Sequence, residues 1–358
     1  MESVGAILGP GNTVVIKPNF VIDQHYAGGD IYLVVTHPSV IRAVADYCLI
    51  AVQQHGQIIV ADAPVEDCDF DNLIDTMKLK VVQAAYRNRL GVNLDVLDLR
   101  RYVAKVGDGN VYSFNRTPLG GDPAGDVVVD LGEQSMLYGK PGEFFGADPD
   151  TSETQRNHRG STHRYQVSST ILSCDALISV PKLKVHKKVG ATLNLKGMVG
   201  MNTNKNFLVH YTLGTPAKGG DQAVDPVVIA DSIILKIRKI INAVFVSSHN
   251  RYLERLHNTL FHSRLYVRCR NLLRKMGLEL SDETDRTDGG NWHGNDTCWR
   301  MVADLAKLMC YADNEGTLHE TPQRAMFCVV DGIIGGDGNG PMRPDARPHY
   351  FRIQSTGR

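Results

Sequence analysis

Residues 177–201, LISVPKLKVHKKVGATLNLKGMVGM, constrain the fold more than any other stretch of the chain. Residues 177–180 form a short apolar run with β-branched members, the composition of a strand buried on both faces. Pro181 ends that run, because a proline has no N–H to offer a central ladder. Lys182, Lys184, His186, Lys187 and Lys188 follow with no acid among them, and such a cluster repels itself unless an anion sits nearby. From Val189 the residues turn small and helix-compatible, and Gly190, Ala191, Gly197 and Gly200 permit close backbone approach. The expectation is a strand, a basic loop and a helix over 189–201, so that side-chain cations and a helix N-terminus converge on one anion. A solvated lysine-rich loop is the plainer alternative. The position of these lysines between two apolar segments favours binding.

The same layout recurs along the chain. An apolar strand at 13–16 delivers Lys17, Pro18 and Asn19, a strand at 58–61 delivers Asp62, and one at 326–330 delivers Asp331. Further strands are expected at 92–99 and 127–131, and amphipathic helices at 40–49 and 300–310. This alternation predicts an α/β fold, with a mainly parallel sheet flanked by helices, whose ligands bind at the carboxyl ends of the strands. The expected organisation is an α/β core over 1–225, a basic helical insertion over 226–285 and a continuation of the core over 286–358. Within the insertion, 236–275 carries ten Lys/Arg against Glu254 alone. Attachment to a membrane or nucleic acid through that helix ranks below a solvated face or subunit contact, because aromatic interleaving is thin.

Global charge points to no such partner, since 39 basic residues balance 39 acidic ones. The seven cysteines are scattered without a C-x-x-C pair, which argues against a disulfide framework, a zinc ribbon and an iron–sulfur cluster, and makes the reducing cytoplasm the expected location. No apolar run reaches the roughly 18 residues of a membrane span, and the first ten residues lack the pattern of a signal peptide.

The candidate site follows from these loops. Lys17, Lys182, Lys184 and Lys196 are expected to neutralise a small phosphate- or carboxylate-bearing substrate. Asn19, Asn194, Gly338, Asn339 and Gly340 join them as binding residues, the last three from the glycine-rich run GIIGGDGNGPM, read as a turn that hugs a ligand or a bulge. His186 is the candidate general acid/base. His37, Asp62, His293, Asp296, Asp331 and Asp337 are candidate metal ligands or orienting groups, oxygen and imidazole donors of the kind that hold a divalent ion. Lys17, Lys184, His186 and Asp337 are expected to border one cavity. The long 132–166 segment, with His158, His163, Arg156, Arg159 and Arg164, reads as a substrate loop, and 202–222 as a loop folding over the site.

Taken in order, KPN, THP, the D-x-P after the next strand, PKLKxHxxxGxTLNLKGMxG, GNWHGNDTCWRMxxDL and VxDGIIGGDGNGPM resemble the DUF362 family, a domain of unknown function sometimes joined to iron–sulfur modules. The resemblance spans nearly the whole chain. Its members usually continue past GDGNGP into further strands and a helix, so the resemblance implies a truncated C-terminus here. His186, Gly190 and Lys196 are also similar to a short stretch of the lactate-racemase-like proteins that use a nickel-pincer nucleotide. That similarity implies proton or hydride transfer at His186 and sets Lys196 beside it as a catalytic residue. The functional expectation is an enzyme acting on a small anionic substrate; the alternative is a non-catalytic anion- or nucleotide-binding protein.

Overall fold

Uniformly apolar runs can be buried only in the middle of a sheet covered on both sides, and three of them pair there. A computed structural model describes residues 8–104, 116–146, 151–224, 252 and 288–346. Its central sheet has five strands in the order Ala325–Cys328, Ala176–Val180, Thr13–Pro18, Gln57–Asp62, Leu94–Asp98. Every pairing in it is parallel, as the α/β reading requires.

Alternation along each strand builds two cores. Val15, Ile59, Ala61 and Leu177 face one side, where they pack with Met301, Leu305 and Leu308 of the helix Cys298–Tyr311. Val14, Ile16, Ile58, Val60 and Ile178 face the other, against Ile41, Val44, Ala45 and Cys48 of the helix Pro38–Val52. Burying a side chain of this size contributes about 1.5–3 kcal/mol, so the sheet is anchored from both faces. Among the described residues, no helix is long and apolar enough to cross a membrane.

A second sheet of four strands, ordered Gly190–Thr192, Lys182–His186, Asp331–Asn339, Arg343–Ala346, grows out of the first. Ala176–Val180 leaves the central sheet at Pro181, and its neighbour Ala325–Cys328 leaves beside it through Val329 and Val330. Both then re-pair in parallel, with a register shift between Lys182 and Lys184. The expected basic loop is therefore a strand over most of its length. The expected helix over 189–201 is instead a short strand, a single turn at Asn194–Gly197 and a 3-10 turn at Met198–Met201. A turn of that length has neither the aligned dipoles nor the row of N–H groups that an anion-binding helix N-terminus needs.

Other expectations shift too. Asp126–Asp130 is a strand, but it pairs antiparallel with Thr162–Ser168 outside the central sheet. The 132–166 segment is not one long loop; it contains that strand and the helix Thr151–Asn157. His163 and Tyr165, buried on either side of exposed Arg164, supply the alternation that its polar composition masks. The basic insertion, 226–285, lies outside the described residues apart from Tyr252, which is exposed.

Candidate functional site

Strand Lys182–His186 alternates in the reverse of the usual sense: Lys182, Lys184 and His186 are buried while Leu183 and Val185 are half-exposed. The inward face of this strand is polar because it serves two polar environments. At its start, Lys182 lies opposite Asp331 in the ladder, and their side chains form a fully buried ion pair of 2.8 Å. The same carboxylate accepts the backbone N–H groups of His37 at 2.7 Å and Ile333 at 3.0 Å. Lys182 and Asp331 thus clasp the first residues of these two strands at the root of the second sheet, each neutralising the other.

Two residues on, Lys184 and His186 border a cavity of about 200 Å³. Lys187, Lys188, Thr192, Lys196, Lys205 and His210 join them, with Asn19 and Asp62 from the strand ends. Val21, Val65, Val199, Leu208 and Met342 give it an apolar side. Its one carboxylate is already neutralised. Asp62 takes the Nζ of buried Lys17 at 2.8 Å, the N–H of Phe20 at 2.7 Å and its neighbour Ala63's N–H at 2.9 Å. A Cβ on Gly200 would fall 1.6 Å from the Asp62 carboxylate and 2.8 Å from the Lys17 ammonium, so only glycine lets the backbone cover this pair.

Lys184 and Lys196 have no such carboxylate partner among the described residues. Lys184 Nζ donates to the carbonyl of Val34 at 2.7 Å, Lys205 to those of Ala63 at 2.6 Å and Asn202 at 3.0 Å, and Lys188 to that of Gly289. Lys196 makes no hydrogen bond or ion pair with any described residue. Burial first, then the charges of Lys196 and Lys182, hold the Lys184 amine well below its ordinary value. Burial followed by Lys196, His210, Lys184 and Lys188 does the same to His186, and burial followed by Lys196, Lys188 and Lys205 to His210. Lys196 is lowered by burial and by Lys17. Desolvation and mutual repulsion act together here, and a bound anion would relieve the second. The Nδ1 of His210 and the hydroxyl of Thr192 are buried without a protein partner.

His186 is neutral in this setting. Its Nδ1 accepts the backbone N–H of Lys188 at 3.2 Å, which leaves the ring proton on Nε2.

Of the four residues expected to meet, Lys184 and His186 border the cavity and Lys17 stands directly behind it through Asp62. Asp337 does not; its carboxylate accepts the N–H of Gly338 within the strand Asp331–Asn339. Asn19 and Lys196 are at the cavity, whereas Asn194 is outside it, with a buried, unpartnered Oδ1. Gly338, Asn339 and Gly340 do not line it either, although Pro341 and Met342 do. The glycine-rich run approaches backbone rather than ligand: a Cβ on Gly340 would sit 2.1 Å from the carbonyl oxygen of Val185.

The proposed metal ligands are dispersed. His37 caps the helix Pro38–Val52 with its ring tilted against Tyr32, centroids 4.6 Å apart, Asp62 and Asp331 hold lysines, Asp296 pairs with Lys140 and Arg300 at 3.1 Å each, and His293 is exposed beside Trp292. Among the described residues, no three His, Cys, Asp or Glu side chains come together as a metal-holding group. The expected fold-over of 202–222 supplies Lys205 and His210, to which the sequence assigns no role. The apolar wall carried no signal, because valine and leucine there look like any core residue. Arg156, Arg159, His158 and His163 border a different cavity of about 650 Å³ that shares no lining residue with the first.

No curated protein matches the chain. A crystal structure of a Thermotoga maritima protein from a structural genomics consortium is 11% identical, covering 56% of this chain and 37% of its own, with a TM-score of 0.27. The chain thus spans well under half of that protein's length, and the likeness carries no argument. The pattern of the family described as "Domain of unknown function (DUF362)" matches residues 14–117 and 99–355. With the motif order and these matches covering nearly its whole length, the chain belongs to the DUF362 family.

Proposed function

We propose that the cavity beside strand Lys182–His186 binds a small carboxylate- or phosphate-bearing substrate, and that His186 assists its chemistry as a hydrogen-bond donor through Nε2. One observation carries this reading: Lys184, His186, Lys188, Lys196, Lys205 and His210 share a cavity whose one carboxylate, Asp62, is already paired with Lys17. Crowding like charges in a desolvated cavity is unfavourable, and an anionic guest offsets that repulsion. A neutral imidazole with its proton on Nε2 suits donation towards a substrate oxygen. The second reading, a binder without turnover, needs the lysines but not His186.

The test compares Lys184→Ala with His186→Asn. Inorganic phosphate and citrate should raise the melting temperature of the natural protein, and Lys184→Ala should reduce that rise. His186→Asn should leave it nearly intact while lowering turnover of any substrate found by metabolite screening. Unchanged turnover in His186→Asn would favour the pure binder. Absence of any anion-dependent stabilisation of the natural protein would refute the site itself.

A further inference from the structure

The lysines that line the cavity are not equivalent. Lys184, Lys188 and Lys205 each donate to a backbone carbonyl, which fixes their nitrogens as donors at the wall. Lys196 lines the same cavity, keeps part of its side chain accessible, and makes no hydrogen bond or ion pair with any described residue. It leaves the short turn Asn194–Gly197, where a Cβ on Gly197 would meet Pro181 at 3.4 Å, so its backbone runs close to the point where the chain exits the central sheet.

We propose that Lys196 is a nucleophilic amine that captures the carbonyl carbon of a small 2-oxo acid as an imine. The inference rests on the anion-binding reading above and gives that anion its chemical class. An amine reacts with a carbonyl only when unprotonated, and a lysine becomes so near neutrality when it is desolvated beside other cations. Burial and the charge of Lys17 lower Lys196 in that sense. Lys184, which gives one N–H to the Val34 carbonyl, can donate another to the carboxylate, and neutral His186 can donate to the ketone oxygen. In the step itself, the Nζ lone pair forms the C–N bond while the carbonyl π pair moves onto oxygen. Both amine protons pass to that oxygen, the C–O bond breaks and water leaves, so no oxidant or reductant is consumed.

The experiment incubates the full chain with pyruvate and sodium cyanoborohydride, which reduces an imine to a stable secondary amine, and maps the adduct by peptide mass spectrometry. Lys196 should be modified more than about tenfold faster than exposed Lys218, inorganic phosphate should suppress the labelling, and Lys196→Arg should abolish it. A parallel melting-temperature titration with phosphate separates the two levels of the argument. If phosphate stabilises the protein but Lys196 is labelled no faster than Lys218, the imine proposal is overturned and the anion site stands. If phosphate neither stabilises nor protects, both fall.

Discussion

Lys182 and Lys184 are two residues apart on one face of one strand, and they have opposite roles. Lys182 meets Asp331 across the ladder and is neutralised inside the protein, whereas Lys184 meets only the Val34 carbonyl and a group of other cations. Lys17 and Asp62 repeat the first situation, Lys196 and His210 the second. A lysine in a buried position is therefore not by itself a site. What separates the two cases is whether the fold provides the countercharge.

The contrast can be broken most forcefully at the two lysines themselves. Lys182→Ala strands a buried carboxylate and should cost about 3–5 kcal/mol in urea unfolding. Lys184→Met, which removes an uncompensated cation but keeps the volume, should change ligand-free stability by less than about 1 kcal/mol while removing most of the stabilisation by phosphate. Equal losses in the two variants would erase the distinction.

Acid should sharpen it next. His186, His210, His158 and His163 are all lower in the folded protein than the ordinary 6.5, His158 at about 4, each chiefly through burial. The unfolded chain therefore takes up protons first, so stability is intact above pH 6.5 and is lost as pH falls below it, by about 3 kcal/mol for His158 alone once pH reaches its folded value. An anion bound as proposed would offset this at His186 and His210 but not at His158 and His163, which border the other cavity. Phosphate stabilisation should consequently grow as pH drops from 7 towards 5, measured by thermal melts. A phosphate effect independent of pH would show that those two cavity imidazoles do not sense the anion.

The smallest effect concerns the cover over the compensated pair. Gly200→Ala places a methyl group where Asp62 and Lys17 meet, and it should cost roughly 1–3 kcal/mol and loosen the cavity floor. Gly91→Ala, at a surface turn with no atom within 4 Å of the added methyl but a φ of +67°, is the control for backbone strain alone. If the two variants unfold alike, packing on the ion pair is not what Gly200 serves.

Strands buried on both faces announce themselves, because only apolar residues are tolerated there: TVVI, IIVA and LISV all became central strands. The strand KLKVH did not, since its buried positions are the polar ones and the usual inside-outside pattern is inverted. Likewise the glycine-rich run near Gly340 looked like a ligand cradle, although its partner is the backbone at Val185. Small residues signal close approach without saying to what.

Local composition was thus enough to establish the parallel sheet, the strand-end placement of Lys17 and Asp62, and a concentration of positive charge after Pro181, because burial and backbone chemistry act over a few neighbouring residues. The fate of each charge was settled by long-range packing. Asp331 reaches Lys182 across 149 residues of chain, and Lys205 and His210 enter the cavity from a separate loop. Electrostatic compensation depends on distance in space, which only the folded arrangement of these segments sets.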